Sequence, residues 1–143
     1  MINEAGIAIV KFYEGWSAVP YICPAGYLTI GWGHMILPTE KFTSITKEEG
    51  TLILINDLGK AERAVFRLIK VPINLNQFSA LTSFTFNLGS GVLQNSTLRS
   101  KLNREEHDAA GEQLNRFVYA KGKKLPGLIK RRQDETNLYI RKN

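Results

Sequence analysis

The amino-acid sequence predicts one mainly helical α+β domain with a small β-hairpin near its N-terminus. Apolar residues recur at helical spacing over most of the chain, and a Gly- and Pro-rich portion is confined to about residues 15–45. No repeat or long linker divides the 143 residues, and 43% of them are hydrophobic. A chain of this length buries a core without needing a disulfide or a metal. Cys23 is the single cysteine, which excludes an internal disulfide.

The first helix is predicted to run from an Asn3 cap to about Tyr13, and Gly15 stops it. Glu14 then falls at the helix C-terminus. There the negative end of the macrodipole and packing against Trp16 or Tyr13 both favour the protonated form of a carboxyl. Glu14 is therefore a candidate proton donor, and the alternative is a solvated glutamate at a helix end.

Residues 21–33 are typical of a hairpin. Pro24 has the fixed φ that a turn uses, and Gly26 closes the turn. A three-residue loop would place Cys23 and Thr29 on the same face of this hairpin. The hairpin would then present a thiol and a hydroxyl together.

Thr29 is a candidate for holding a water on the side of a bond opposite Glu14, as an inverting glycosidase requires. The alternative is an ordinary strand threonine. Cys23 is harder to assign, because a neutral thiol is a poor base and the local sequence supplies no cation to stabilise a thiolate. Structural burial is the alternative for this thiol. A Cys23 nucleophile activated by His34 is less well supported, since a Cys and a His eleven residues apart are individually ordinary.

Neither histidine belongs to a metal-ligand pattern. His34 is interpreted as a structural residue that anchors the end of the hairpin, and His107 as a solvated helix residue. Two distant histidines and one cysteine lack the spacing of a metal site, and the glycines near residues 31–33 lack that of a phosphate loop. We therefore expect no metal and no cofactor.

The rest of the chain is predicted to be helical. Thr46 with Glu49 forms a capping-box pattern that opens a long helix at about residues 47–70. The later helices are predicted from an Asn74 cap to Gly89, from Ser96 to Asn103, from an Asn103 cap through Leu114 and Phe117 towards Gly122, and from Ile129 to Arg141.

The formal charge of +6 and a pI near 9.6 favour a polyanionic partner. Nucleic-acid binding is a remote hypothesis, because the sequence has no helix-turn-helix and no interleaving of aromatic and basic residues. A membrane-active protein is an alternative, since a basic amphipathic helix can disturb anionic bilayers. The other interpretation of the C-terminal charges is a solvated helix face, on which Glu135 pairs with Arg131 or Arg132. The basic residues near the C-terminus are Lys121, Lys123, Lys124, Lys130, Arg131, Arg132, Arg141 and Lys142.

The chain resembles the phage-type lysozymes, or endolysins, of glycoside hydrolase family 24. Their pattern is Glu, eight residues, Asp or Cys, five residues and Thr, followed by Ile-Gly-aromatic-Gly-His. Glu14, Cys23, Thr29 and Ile30 to His34 match it without a gap. Further matches extend nearly to the end of the chain and include Gln77, Phe86 to Gly89, Ser96 to Leu98, Lys101 to Asn103, Gly127 with Leu128, Arg131, Arg132 and Glu135.

The resemblance implies a lysozyme-like fold, a single domain over residues 1–143. A small β-containing lobe at about 15–60 and a helical lobe, made of the N-terminal helix and about 70–143, would flank a cleft and be joined by the long helix. It also implies hydrolysis of the β-1,4 bond between N-acetylmuramic acid and N-acetylglucosamine in peptidoglycan, for host cell lysis.

The resemblance also assigns roles to individual residues. Glu14 would be the general acid, Thr29 would position the water, and Cys23 would take the place usually given to Asp. Met35, Phe86 and Thr97 fall where the family contacts glycan. Two residues depart from the common pattern: Cys23 lacks the fixed charge of Asp, and Phe117 replaces a Trp, which we expect to be a change of core volume only.

The expected setting follows from the same resemblance. The N-terminal apolar run is too short for a signal peptide or a membrane span, so no stable membrane insertion is expected. The protein would remain in the host bacterial cytoplasm until lysis and then act on the wall in the periplasm. Release would depend on a holin, and the protein would act as a monomer.

Overall fold

A computed structural model describes residues 1–142 of the chain, and the described part contains seven α-helices, five short strands and one turn of 3-10 helix at Leu114–Arg116. The helices are α1 (Glu4–Glu14), α2 (Lys47–Leu68), α3 (Leu75–Leu88), α4 (Ser90–Gln94), α5 (Thr97–Asn103), α6 (His107–Gln113) and α7 (Pro126–Ile140). The strands are β1 (Ser17–Ile22), β2 (Leu28–Gly31), β3 (His34–Met35), β4 (Tyr119–Ala120) and β5 (Lys123–Lys124). The mainly helical α+β prediction is confirmed.

The helix starts follow from side-chain caps. Asn3 accepts a hydrogen bond from the Gly6 backbone N–H, and α1 ends at Glu14, one residue beyond the prediction. The capping box of Thr46 and Glu49 opens α2, and both of its hydrogen bonds are present. Asn74 opens α3 with a second capping box, and Ser96 caps α5. These local signals satisfy N–H groups that the helix itself leaves unpaired.

The N-terminal sheet is larger than the predicted hairpin. Strand β1 starts at Ser17 instead of residue 21, and β3 adds a third antiparallel strand in the order β1, β2, β3. The pairing register of β1 with β2 changes between Ser17, which pairs with Gly31, and Tyr21, which pairs with Thr29. Strand β1 therefore contains an irregularity between these two positions. The three-residue turn is as predicted, because Cys23 N–H donates to the Tyr27 carbonyl on its other side.

Both predicted ends of the helix after α5 were wrong, because α6 spans only His107–Gln113 and Phe117 lies outside it. Asn103 does not cap the next helix; it ends α5, and its side chain bonds the backbone of Lys70 and Leu68 at the end of α2. Glu106 stands at the start of α6 instead. Gly122 does not end a helix but lies in the turn between β4 and β5, with φ +77°. A side chain that bridges two helices and a very short hairpin leave no periodic signal in the sequence.

The final helix begins three residues earlier than predicted, because Pro126 occupies its first turn, where a missing N–H costs nothing. The basic pair on it does not form a solvated face. Arg131 and Arg132 are 3% and 0% exposed, and Glu135 is 0% exposed. These three charges are part of the protein interior.

Two apolar clusters form the core. The larger includes Phe84 from α3, Leu114, and Leu138 from α7. Phe117 packs edge-on against Phe84 with ring centroids 4.9 Å apart, which agrees with its predicted core role. The smaller joins α1 and the sheet to α2 through Ile2, Val10, Trp32, Leu54 and Leu58. The first half of α2 therefore packs in the smaller cluster, and its end, with Val65 and Leu68, packs in the larger.

Within residues 1–142, no helix has both the length and the apolar character that crossing a membrane requires.

Candidate active site

Glu14 lies at the C-terminal end of α1, as predicted, but its environment is more polar than expected. Its Oε2 accepts a hydrogen bond from Nη1 of Arg131 at 3.0 Å. About a quarter of the Glu14 side chain is exposed, so the carboxyl can be reached from solvent. The Arg131 guanidinium, from the last helix, is a neighbour of this carboxyl that the sequence analysis did not predict.

Arg131 is held from three sides. Its Nε donates to Glu135 at 3.2 Å, and its Nη2 donates to the backbone carbonyl of Ser83 at 3.2 Å. The guanidinium also lies over the ring of Tyr13, 5.7 Å from the centroid. Because a guanidinium presents its donors in one rigid plane, these contacts also orient the nitrogen that faces Glu14.

Gly33 leaves room for the acid on the sheet side. A Cβ placed on Gly33 would lie 2.5 Å from Oε1 of Glu14, and the residue has φ +76°, which favours glycine. The turn between β2 and β3 therefore packs directly on the carboxyl. Thr29 lies on β2 two residues before Gly31, about 7 Å along the strand at the usual rise per residue.

Cys23 and Thr29 share a face of the sheet, as predicted. Thr29 pairs with Tyr21 on one side and with Met35 on the other, so these three side chains form a row across the strands. Cys23 follows Tyr21 by two residues and lies on the same side. Thr29 is 4% exposed, and its hydroxyl donates to the Tyr27 carbonyl at 2.9 Å.

The pKa of Cys23 is lowered from its ordinary value. The Tyr27 backbone N–H contributes most, followed by the Thr29 hydroxyl, and the N–H groups of Ala25 and Gly26 add to the effect. The turn thus supplies hydrogen-bond donors to the sulfur that the sequence analysis, which considered only cationic neighbours, did not include. Thr29 has one hydroxyl proton, so it donates either to the Tyr27 carbonyl or to the sulfur.

Met35 and Phe86 line the same cavity, with a volume of about 390 Å³. Asp57 and Lys60 from α2 contribute charges to it, and Thr85 also lines it. The buried hydroxyl of Thr85 finds no hydrogen-bond partner within residues 1–142. This cavity offers an apolar surface with polar groups around it, which is the combination that binds a sugar ring.

Thr97 lies elsewhere, at the start of α5. It lines a separate depression of about 740 Å³ together with Arg116 and Phe117. Residues 88–91 separate the two depressions, since Gly89 and Ser90 line the first, and Leu88 and Gly91 the second. The structure thus brings Met35 and Phe86 together and places Thr97 beyond that segment.

His34 anchors the sheet to α2, in agreement with its predicted structural role. Its Nδ1 and Nε2 face Asp57 at 2.8 Å and Glu40 at 2.9 Å. Burial lowers the pKa of His34, but the hydrogen bonds and charges of Glu40 and Asp57 outweigh it and raise the net value above 6.5. Burial raises the pKa of Asp57, and the His34 hydrogen bond opposes this. With a carboxylate on each nitrogen, the geometry is that of an imidazolium.

His107 is only partly solvated, in contrast to its prediction. Its Nδ1 lies 3.3 Å from Nε2 of Gln77, and its carbonyl accepts from the Tyr139 hydroxyl at 2.9 Å. Among residues 1–142, no group of three or more His, Cys, Asp or Glu side chains is arranged to hold a metal ion.

The sequence matches the phage lysozyme family over residues 11–135. The chain belongs to this family. It is 37% identical to the endolysin of Acyrthosiphon pisum secondary endosymbiont phage 1, over 96% of this chain and 97% of that one. It is 33% identical to the endolysin of Bacillus phage B103, over 97% of this chain but 54% of that longer one.

The fold agrees with the sequence match. A mutant of P22 lysozyme superposes with a TM-score of 0.89 at 32% identity, over 99% of each chain. The predicted lysozyme-like fold is confirmed, and so is the predicted function of this phage lysozyme family member, a glycoside hydrolase of the endolysin type that cleaves peptidoglycan.

Sequence reasoning missed Arg131 as a neighbour of the acid in this phage lysozyme family member. Arg131, Arg132 and Glu135 were noted as matches to the family pattern, and one interpretation of their charges paired Glu135 with either arginine on a helix face in water. The pairs are present, but they are buried. The available signal was their spacing on α7, which places Glu135 four residues after Arg131 on one side of the helix. The run of basic residues in the sequence did not indicate that this side of the helix is buried.

Proposed function

We propose that Glu14 is the general acid that protonates the leaving oxygen of the β-1,4 bond between N-acetylmuramic acid and N-acetylglucosamine. The observation that carries this proposal is the position of the carboxyl: partly exposed, and confined between Arg131 and Gly33. A carboxyl in a fixed position can deliver its proton to one oxygen of a bound glycan.

In this proposal Thr29 holds the attacking water, and Cys23 supplies a negative charge near the reacting bond. When the Thr29 hydroxyl donates to the Tyr27 carbonyl, its lone pairs are left to accept a hydrogen bond from water. The lowered pKa of Cys23 supports a thiolate in the position that Asp occupies in many relatives, where a negative charge stabilises an oxocarbenium-like transition state.

The glycan would lie along the two depressions that flank residues 88–91. Met35 and Phe86 would contact one sugar and Thr97 another. In this arrangement a small lobe at about 15–60 and a helical lobe, with the N-terminal helix and about 70–143, face each other across the cleft. The two apolar clusters, which share α2, support that division.

The protein would act on the wall as a monomer, after waiting in the host cytoplasm until a holin opens the inner membrane. The endolysin relatives support this setting, and a charge of +6 suits attraction to an anionic wall. Fractionation of cells that express the protein with and without a holin tests the route: activity outside the cytoplasm without the holin would contradict it.

The decisive experiment compares wild type with Glu14→Gln on purified peptidoglycan, counting new reducing ends and sizing the muropeptides by mass. Glu4→Gln is the matched control, because Glu4 is an exposed glutamate at the other end of α1 and its replacement changes the net charge equally. We expect reducing muramic acid ends from wild type and Glu4→Gln, and none above background from Glu14→Gln. Equal activity of all three proteins would reject Glu14 as the acid.

A further inference from the structure

We propose that Glu135 is a positioning residue that, through Arg131, holds a negative charge behind Glu14 and sets the upper pH limit of peptidoglycan hydrolysis. The inference rests on the proposed role of Glu14 as general acid. It concerns a residue that faces the protein interior, is 0% exposed and cannot touch the glycan.

Glu135 lies at the centre of a buried group of donors. Its Oε2 accepts from the Ser83 hydroxyl at 2.6 Å, from Arg131 Nε at 3.2 Å and from Arg132 Nη2 at 3.2 Å. Its Oε1 lies 2.7 Å from Arg132 Nε. Arg132 is also held by Asn87, which accepts from its Nη2 at 2.7 Å.

These contacts indicate that Glu135 is ionised. Burial raises the pKa of Glu135 above its ordinary value, and the charges of Arg132 and Arg131 and the hydrogen bond from Ser83 oppose this only in part, so the ionised state is assigned from the contacts. Three of the four contacts come from guanidinium nitrogens, which carry protons and cannot accept one. A neutral carboxylic acid would leave Arg132 in the interior without a counter-charge and Arg131 with Glu14 alone.

Arg131 connects this buried carboxylate to the acid. One guanidinium donates through Nε to Glu135 and through Nη1 to Glu14. When Glu14 is ionised, two arginines face two carboxylates; when Glu14 is protonated, the group retains one net positive charge. Without Glu135 the protonated state would retain two, so the Glu135 charge favours the state in which Glu14 can donate a proton.

The other charges around Glu14 are accounted for separately. On α1, Tyr13 bonds Asp134 of α7, and the Lys11 ammonium donates to Thr51 and lies over the Trp32 ring. On α3, Ser83 is neutral. On the sheet side, Gly33 packs on the carboxyl, and the next residue, His34, is paired with Glu40 and Asp57. Of these groups, Ser83 donates its hydroxyl to Glu135, and burial, helped by the Glu135 charge, raises the pKa of Tyr13 to about 12; both side chains are neutral.

The test is the pH profile of peptidoglycan hydrolysis at substrate levels well below saturation, where the rate reports kcat/KM. We expect Glu135→Gln to move the high-pH limb of the profile to lower pH by about one unit or more. Glu135→Asp keeps the charge and should keep the limb near its wild-type position. Glu106→Gln is the matched control, a glutamate paired with an arginine at the start of α6 and away from Glu14, and it should leave the profile unchanged.

Glu135→Gln leaves the two arginines without their buried partner, so its folding is checked by circular dichroism at the assay temperature. Arg132→Gln is the second variant and keeps the test valid if Glu135→Gln unfolds, because it leaves Glu135 paired with Arg131 and changes the charge of the group in the opposite sense. The bonds of Arg132 go to Asn87, Phe117 and Glu135 and not to Glu14, so its loss removes one positive charge without breaking a contact of the acid, and the limb should move to higher pH.

An unchanged limb in the folded variants would overturn the inference, as would an equal shift in Glu135→Asp. Retained activity in Glu14→Gln would instead reject the general acid itself, so the two failures are distinguishable.

Discussion

Arg131 and Glu14 are 117 positions apart in the sequence, and Nη1 of the arginine donates to the carboxylate at 3.0 Å. The pair joins the last helix to the end of the first, next to the turn between β2 and β3. A residue from the C-terminal helix thereby helps to place the proposed acid.

Replacing Arg131 with Gln should reduce both stability and activity. The variant removes the cation between two carboxylates and leaves Glu135 with Arg132 alone, a loss of about 3 kcal/mol for breaking a buried pair. Lys130→Gln is the control, because it changes the charge equally at the exposed neighbouring position. Urea unfolding and initial hydrolysis rates measure the effects, and equal behaviour of the two variants would contradict the proposed function of the pair.

Gly33→Ala should lower activity much more than Gly26→Ala. Both glycines have positive φ, so each substitution costs about 1–2 kcal/mol of backbone strain. Only at Gly33 does the new Cβ enter the space of the Glu14 carboxylate; nothing lies within 4 Å of a Cβ at Gly26. Hydrolysis rates are compared at equal folded fractions of the two variants. Backbone strain is then common to both, and a larger loss in Gly33→Ala reports displacement of the Glu14 carboxylate. Similar losses in the two variants would show that the turn does not position Glu14.

Two glycines of α2 should respond to alanine with opposite signs. At Gly50 a Cβ would collide with the ring of Trp16, which is tilted against Trp32 at a centroid distance of 4.3 Å, so Gly50→Ala should destabilise by about 1–3 kcal/mol. At Gly59 the Cβ meets only the end of the flexible Arg63 side chain at 3.1 Å. Gly59→Ala should therefore stabilise by up to about 1 kcal/mol, the usual gain in helix propensity. Thermal unfolding of both variants checks the signs.

The ion pairs of His34 should make stability depend on pH. The pKa of His34 is raised above 6.5 in the folded protein, so its contribution is fully present below about pH 6.5 and is lost as pH rises through the folded value. His34→Asn should cost about 2 kcal/mol at pH 5.5, the usual contribution of hydrogen bonds to charged groups, and clearly less at pH 9.

Urea unfolding at several pH values measures this difference for His34→Asn. His107→Asn serves as the control, since it leaves the contacts of His34 with Glu40 and Asp57 intact. A cost for His34→Asn that is the same at both pH values would contradict the charged state assigned to the imidazole.

Alkylation of Cys23 should follow a pH midpoint below that of an ordinary thiol, because its pKa is lowered by the turn N–H groups and the Thr29 hydroxyl. Thr29→Val removes the hydroxyl and should raise the midpoint, whereas Thr29→Ser keeps the hydroxyl and should not. Rates of iodoacetamide modification across pH, with the denatured protein as reference, measure the midpoints. A midpoint equal to that of the denatured protein would exclude a stabilised thiolate.

The local elements were readable from the sequence because their determinants are local. The Thr46 and Asn74 capping boxes satisfy N–H groups within one helical turn, and Gly89 ends α3 with the positive φ that glycine adopts easily. The face shared by Cys23 and Thr29 follows from a three-residue turn and the alternation of side chains along a strand. The spacing of Glu14, Cys23 and Thr29 was enough to indicate the family.

The tertiary structure alone decided which charges are buried and what they contact. Arg131, Arg132 and Glu135 look like a solvated basic face in the sequence, and Asn103 looks like a helix cap, but each of them bonds a residue far away along the chain. The sequence by itself determined the capped starts of α1, α2, α3 and α5, the first hairpin and the proposed acid, since turns and caps depend on neighbours a few residues away. The partner of that acid depended on packing α7 against α1 and α3, because burial is a property of the assembled elements and not of any one segment.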